Sequence, residues 1–148
     1  MVTSSLLIGV IGAGIGVVGS LGAVSLRHWL QTRRQRTSLR KALLAEIEST
    51  NWITDGELAT LTEELKSRDI THSYFPTSVY DENIGQIGLL EDDELNHVIQ
   101  YYSTAYVASQ QIRDIYEGSG DINTFVEGTL DTLITHRNSA TDSLKENL

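Results

Sequence analysis

Residues 9–22 read GVIGAGIGVVGSLG. Within them Gly14-Ile-Gly16-Val-Val-Gly19 matches the dinucleotide pattern G-x-G-x-x-G letter for letter, with the apolar SLLIGVI just before it. That pattern binds a cofactor only inside a strand–turn–helix unit with a second strand and an acid about twenty residues on. The place for that strand reads QTRRQRTSLRK, polar and basic, with no apolar run to form it. No later segment reads as a parallel strand. The stretch is therefore no nucleotide turn, and no cofactor is expected.

A membrane helix accounts for the same residues. Val2 to Leu26 carries no charge, and its dense apolar part, Leu6 to Leu26, is 21 residues long. As a helix this part reaches about 31 Å, close to the roughly 30 Å hydrocarbon core of a bilayer. Ser5, Gly9, Gly12, Gly16, Gly19 and Ala23 recur at steps of four and three and fall within an arc of about 80°. Helices in lipid associate where small residues let backbones approach, so this stripe is expected to pack, chiefly against copies of the chain. GAGIG also resembles the glycine-rich helix of rotary ATP synthase ring subunits. Those subunits carry a second span with a buried carboxylate, which this chain lacks, so the likeness implies nothing further. The leading MVTSS has no side-chain cation, and the apolar core exceeds that of a cleaved signal, which favours a signal anchor. Arginines follow the run, so the positive-inside rule expects the N-terminus outside the cell membrane and the C-terminal body in the cytoplasm.

Charge is divided along the chain. Residues 1–36 hold four arginines and no acid, whereas residues 37–148 hold seven basic and all twenty acidic residues, a net of −13. A body this acidic repels a phosphate backbone, which argues against nucleic acid as partner. Three lysines among eleven basic residues, with an acidic surface, suggest a salt-adapted host. Cysteine is absent, so disulfide, thiolate-metal and cysteine-nucleophile chemistry are excluded.

The spacing predicts an all-α fold. An N-terminal transmembrane helix (1–26) leads into a basic juxtamembrane segment (27–41), and then into an acidic helical domain (42–148). In the second, Arg27, Trp29, Arg33, Arg34 and Arg36 are expected at the membrane interface, with Arg40 and Lys41 completing the basic cluster. That cluster reads as a topology determinant, with anionic-lipid binding as the competing reading. Leu39, Leu43, Leu44 and Ile47 follow at helical spacing. Thr54-Asp-Gly-Glu57 is a capping-box pattern that would open a second helix with Leu58, Leu61 and Leu65 inward. Pro76 forces Phe75 out of helical geometry, after which Thr77 or Ser78 can cap a short helix ending near Gly85. Acids Glu91 to Glu94 open a helix to about Glu117, with Leu95, Val98, Ile99, Tyr102, Ala105, Tyr106 and Ile112 inward. Gly118 stops it, and Asp121 caps a last helix with Ile122, Phe125, Val126, Leu130, Leu133, Ile134, Ala140 and Leu144 inward. The short turn between these two long helices makes them an antiparallel hairpin, the end of a small cytoplasmic bundle.

Residues 75–103, through Pro76, Tyr80, Ile84, Gly88, Leu89, Leu90, Ile99 and Tyr102, resemble a pattern in small, mostly uncharacterised prokaryotic proteins. These have one N-terminal span and a helical cytoplasmic domain. The resemblance covers about a fifth of the chain and implies no activity. The residues themselves read as packing, with Gly85 and Gly88 supplying tight turns and the rest buried.

Chemistry is sparse. Glu94-x-x-His97 is half of what a di-iron bundle needs, and its second copy is missing, so no metal is expected and His97 reads as solvated. Asp92, Asp93 and Glu94 read as a solvated helix start, and Tyr101, Tyr102 and Tyr106 as core and rim. No nucleophile elbow is present. No catalytic residue is assigned and the chain is not expected to be an enzyme. The function expected is a membrane-anchored scaffold or adaptor. It would assemble as a homo-oligomer through the small-residue stripe and present its helical domain to a further membrane or cytoplasmic protein. A pore-forming or membrane-permeabilising assembly, holin-like or viral, is the alternative.

Overall fold

The computed structural model describes the backbone of residues 3–51 and 75–148, and the side chains of 26–51 and 75–148. The order is α1 (Thr3–Glu48), α2 (Ser78–Asn83), a 3-10 turn (Ile87–Leu89), α3 (Asp92–Tyr116), a first turn α4 (Ile122–Thr124), a π-helical segment (Phe125–Leu130) and α5 (Asp131–Glu146). The described residues are all helix, turn and loop, in agreement with the all-α expectation. They divide into two compact units, Met1–Arg36 and Thr37–Leu148. Among the described residues no helix is long and apolar enough to cross a membrane. The side chains of the expected span and of its stripe, Ser5 to Ala23, lie outside the described residues, as do the capping box at Thr54 and the helix expected after it.

The second unit is built on the pair α3 and α5. Their antiparallel course follows from two contacts: Thr104 of α3 meets His136 of α5, while Arg40 bridges Glu94 near the start of α3 and the carbonyl of Asn147, just past the end of α5. The last turns of α1 lie along the pair and bury Leu39, Leu43 and Ile47. The core is completed by Phe75, Ile87, Leu90, Val98, Tyr101, Tyr102, Ile112, Phe125, Leu130, Leu133, Ile134 and Leu144, together with Ala105, Ala108 and Ala140.

Helix ends follow local chemistry. The carboxylate of Glu91 caps α3 while Glu94 reaches back to the Glu91 amide at 2.9 Å, a reciprocal capping box. Gly118 ends α3 with φ +77, a left-handed conformation that glycine adopts without strain. Ser119 and Gly120 amides then both donate to the Asp114 carbonyl. A β-carbon on Gly120 would sit 2.7 Å from the Ile115 nitrogen, so this turn admits only glycine. Asp121 caps the next turn through the amides of Asn123 and Thr124.

Four expectations need correction. The buried stripe of α3 is Glu94, Val98, Tyr101, Tyr102, Ala105, Ala108 and Ile112, so Ile99 and Tyr106 point outward. Ile84 is exposed as well, and Gly85 and Gly88 have neither positive φ nor close neighbours, so their turns do not demand glycine. Neither Thr77 nor Ser78 caps α2; a carboxylate from α1 does. The last helix is not regular: Phe125 and Leu130 are both buried although five residues turn about 140° on an α-helix. The wider π turn between them brings both to one side.

Candidate functional site

Several titratable residues of the body are engaged in holding the fold together. Arg40, expected in the juxtamembrane cluster, is instead buried. Its guanidinium forms two parallel bonds of 2.7 Å to the carboxylate of Glu94, the bidentate geometry this pair favours. Glu94 is itself buried, not solvated; Asp92 and Asp93 beside it are exposed, as expected of a helix start.

Glu46, six residues further along α1 than Arg40, is also buried. Its carboxylate accepts from the Ser78 hydroxyl (3.1 Å), the Val79 amide (2.8 Å), the Tyr80 amide (3.1 Å) and the Tyr102 hydroxyl (2.6 Å). Two of these, the Val79 and Tyr80 amides, are unsatisfied donors at the start of α2, so a side chain from another helix performs the cap. Tyr102 stacks on Tyr80 with centroids 4.1 Å apart and meets Tyr101 edge-on at 5.0 Å. Tyr101 lies within hydrogen-bonding distance of the Thr50 hydroxyl, and Arg137 donates to the Thr50 carbonyl. Burial, then the bond to Glu46, pushes the Tyr102 hydroxyl far above its ordinary pKa, and burial raises Tyr101 likewise. Tyr106 is raised chiefly by its 2.6 Å bond to Asp81. Tyr101 and Tyr102 are core and Tyr106, expected inward, is rim. Among the described residues, Arg40, Glu46, Glu94 and Arg137 are the buried charges that the sequence reading missed.

The histidines do not converge. His28 is exposed, His136 pairs with Thr104 at 2.9 Å, and His72 lies outside the described residues. His97 is half-buried, not solvated. Its Nδ1 and the Oε1 of Gln111 are buried without a partner among the described residues. They belong to one edge of α3 but stand fourteen residues apart, about 21 Å along the axis, so no single ion or small ligand spans them. No group of three or more His, Asp or Glu capable of holding a metal gathers among the described residues.

Two exposed surfaces remain. On α3, Ile99, Ser103, Tyr106 and Val107 face outward together, and Ile84 is exposed nearby in sequence. In the other unit, Leu26, Trp29 and Leu30 are 57, 55 and 41 % exposed. Arg27, Arg33 and Arg34 are exposed beside them, Arg36 is half-buried, and the Arg33 guanidinium lies 5.5 Å from the centre of the Trp29 ring. A tryptophan and two leucines held out to the surroundings among arginines have the composition of a membrane-interface segment.

Comparison with protein-family models, curated proteins and solved structures finds no match, so the functional reading rests on the chain's own chemistry.

Proposed function

We propose that the chain is a single-pass, membrane-anchored scaffold or adaptor without catalytic activity. The observation that carries this reading is the junction at residues 26–36. An uncharged run of 25 residues, Val2–Leu26, passes directly into a helical segment that exposes Leu26, Trp29 and Leu30 among arginines. Water gives no reason to expose three large apolar side chains in eleven residues beside such a run; a bilayer and its interface do. The N-terminus lies outside and the body in the cytoplasm. Ser5, Gly9, Gly12, Gly16, Gly19 and Ala23 pack the span against other copies, and the body offers its outer α3 face to a partner protein. The non-catalytic part of the reading is supported by the use of Arg40, Glu46 and Glu94 as internal ties.

Cysteine-specific cross-linking tests it, because the native chain has none. Single cysteines replace Gly9, Gly12 or Ser103 in the full chain in its native membrane. The expected result is self-adducts through Gly9 and Gly12, and a distinct protein captured through Ser103. Recovery of the chain in the alkaline carbonate wash, away from the membrane pellet, overturns anchoring. Unchanged oligomeric state in detergent on Gly16→Ile overturns the stripe. Self-adducts alone, with dye leakage from vesicles that Gly12→Leu abolishes, overturn the adaptor in favour of a pore.

A further inference from the structure

The arginines after the apolar run are not merely present; they face one way. Taking about 100° per residue, Leu26, Trp29, Leu30, Arg27, Arg33, Arg34 and Arg36 all fall within one half of the helix circumference. The opposite half of residues 26–36 is His28, Gln31, Thr32 and Gln35, polar and without a lysine, arginine or acid. Leu26 and Leu30 run down the middle of the first half. Trp29 with Arg33 and Arg36 edges one side, and Arg27 with Arg34 the other. On the second half the Thr32 hydroxyl donates to the His28 carbonyl at 3.0 Å, on the helix's own backbone.

Orienting a span in a membrane requires only a number of cations near its end. It places no demand on their direction. A basic amphipathic face does have a directional requirement: it needs an anionic surface with an apolar layer beneath, so that leucine and tryptophan enter while guanidinium groups stay at phosphate level. From this sidedness we infer that residues 26–36 form a docking face for anionic phospholipid headgroups of the membrane that holds the chain. The occupant follows from charge complementarity, since all four arginines of the segment lie on the apolar half and the segment has no acid. Arginine suits phosphate through its planar fork of donors. The inference rests on the membrane anchoring proposed above and goes beyond it, in naming the class of lipid and the face that selects it.

Trp29 reports on the face directly. The full chain carries two tryptophans, so Trp52→Phe leaves Trp29 as the single emitter; the difference between wild type and Trp29→Phe provides the same signal without that substitution. The chain is reconstituted into vesicles of phosphatidylglycerol and phosphatidylcholine in equal amounts, with bromine on the acyl chains of one lipid or the other. Quenching of Trp29 by the brominated phosphatidylglycerol is expected to exceed that by the brominated phosphatidylcholine by roughly twofold or more, and to fall towards equality in high salt. A second chain carries Arg27→Gln, Gln31→Arg, Arg34→Gln and Gln35→Arg, which keeps the number of cations and turns two of them to the other half. Its orientation in the membrane is expected to be unchanged and its lipid preference reduced. Equal quenching by the two lipids in the wild type, or an undiminished preference in the rearranged chain, overturns the inference while anchoring stands. No quenching by either lipid overturns both.

Discussion

At the scale of single residues, two buried acids among the described residues, Glu46 and Glu94, tie the helices of the body together. Removing Arg40 leaves Glu94 charged in the core without its partner. Arg40→Ala is therefore expected to lower unfolding stability by about 3–5 kcal/mol, whereas Arg40→Met with Glu94→Gln recovers much of that loss. Urea unfolding of the full chain in detergent, followed by circular dichroism, measures both. Glu46→Ala strands the Tyr102 hydroxyl and the amides of Val79 and Tyr80; a loss of about 2–3 kcal/mol is expected, with α2 the first segment to exchange its amide hydrogens. The tyrosines set the alkaline limit. Burial raises Tyr101 and Tyr102 in the folded chain, so the folded state holds protons that the unfolded state releases above about pH 10. Their contribution is whole below that pH and declines as pH climbs beyond it. Phenolate absorbance should thus appear in two phases, exposed tyrosines first and the buried pair only with unfolding, and Tyr102→Phe should flatten the fall of urea midpoint between pH 9 and 11. Little of this was legible in the sequence. Arg40 and Glu94 are 54 positions apart and Glu46 reaches a helix 32 or more positions away, and local patterns carry no signal for partners at that separation. Arg40 looked like one more cation in a basic cluster because its only distinguishing property is what lies opposite it.

At the scale of elements the sequence was far more informative. The ends of α3 and the start of the last helix are set by neighbours within a few residues, which is why Glu91 was readable as a helix start, Gly118 as a stop and Asp121 as a cap. Faces were less so. Assigning inward positions by apolar character placed Ile99 and Tyr106 in the core, where the true stripe uses Glu94, Tyr101 and Ala108. Polar and small residues that complete a core contribute little to a hydrophobic pattern, so the stripe was read rotated by less than one position, with Val98, Tyr102, Ala105 and Ile112 common to both. The glycines of the hairpin separate cleanly. Gly120→Ala drives a β-carbon into the Ile115 backbone and should lower the thermal midpoint of the full chain; Gly128 has open space around its α-carbon, and Gly128→Ala should leave the midpoint unchanged or raise it, by up to about 1 kcal/mol in stability. Differential scanning of the two variants side by side separates a required glycine from an incidental one.

For the molecule as a whole, charge is the dominant long-range property. Residues 37–148 carry a net of −13, and self-repulsion at that density opposes the compact state. Screening relieves it, so the thermal midpoint of the body's unfolding should rise between 0.1 and 1 M sodium chloride, with most of the gain at the low end where the Debye length changes fastest. A midpoint that falls with salt would mean that the ion pairs Arg40–Glu94 and Lys145–Glu48 outweigh the repulsion. The helical class of the chain was plain in the spacing of its apolar residues and the charge division in counts along the sequence, because both depend on sums over many residues. The cap that Glu46 of α1 places on α2 was not, because its partners lie 32 or more positions away.

The π segment from Phe125 to Leu130 has a consequence for sequence comparison and for length variants. A π turn is what an α-helix becomes when one residue is inserted and both flanks keep their faces. The register of Leu133, Ile134, Ala140 and Leu144 against α3 is therefore that of a helix one residue shorter. Deleting Gly128 should heal the turn into regular α-helix and leave the hairpin folded. Deleting Ser139 instead would rotate Ala140 and Leu144 out of the core and unfold its end. An alignment of this chain with any shorter cousin should open its one-residue gap within 125–130, and a gap placed elsewhere in the last helix would pair the wrong core positions.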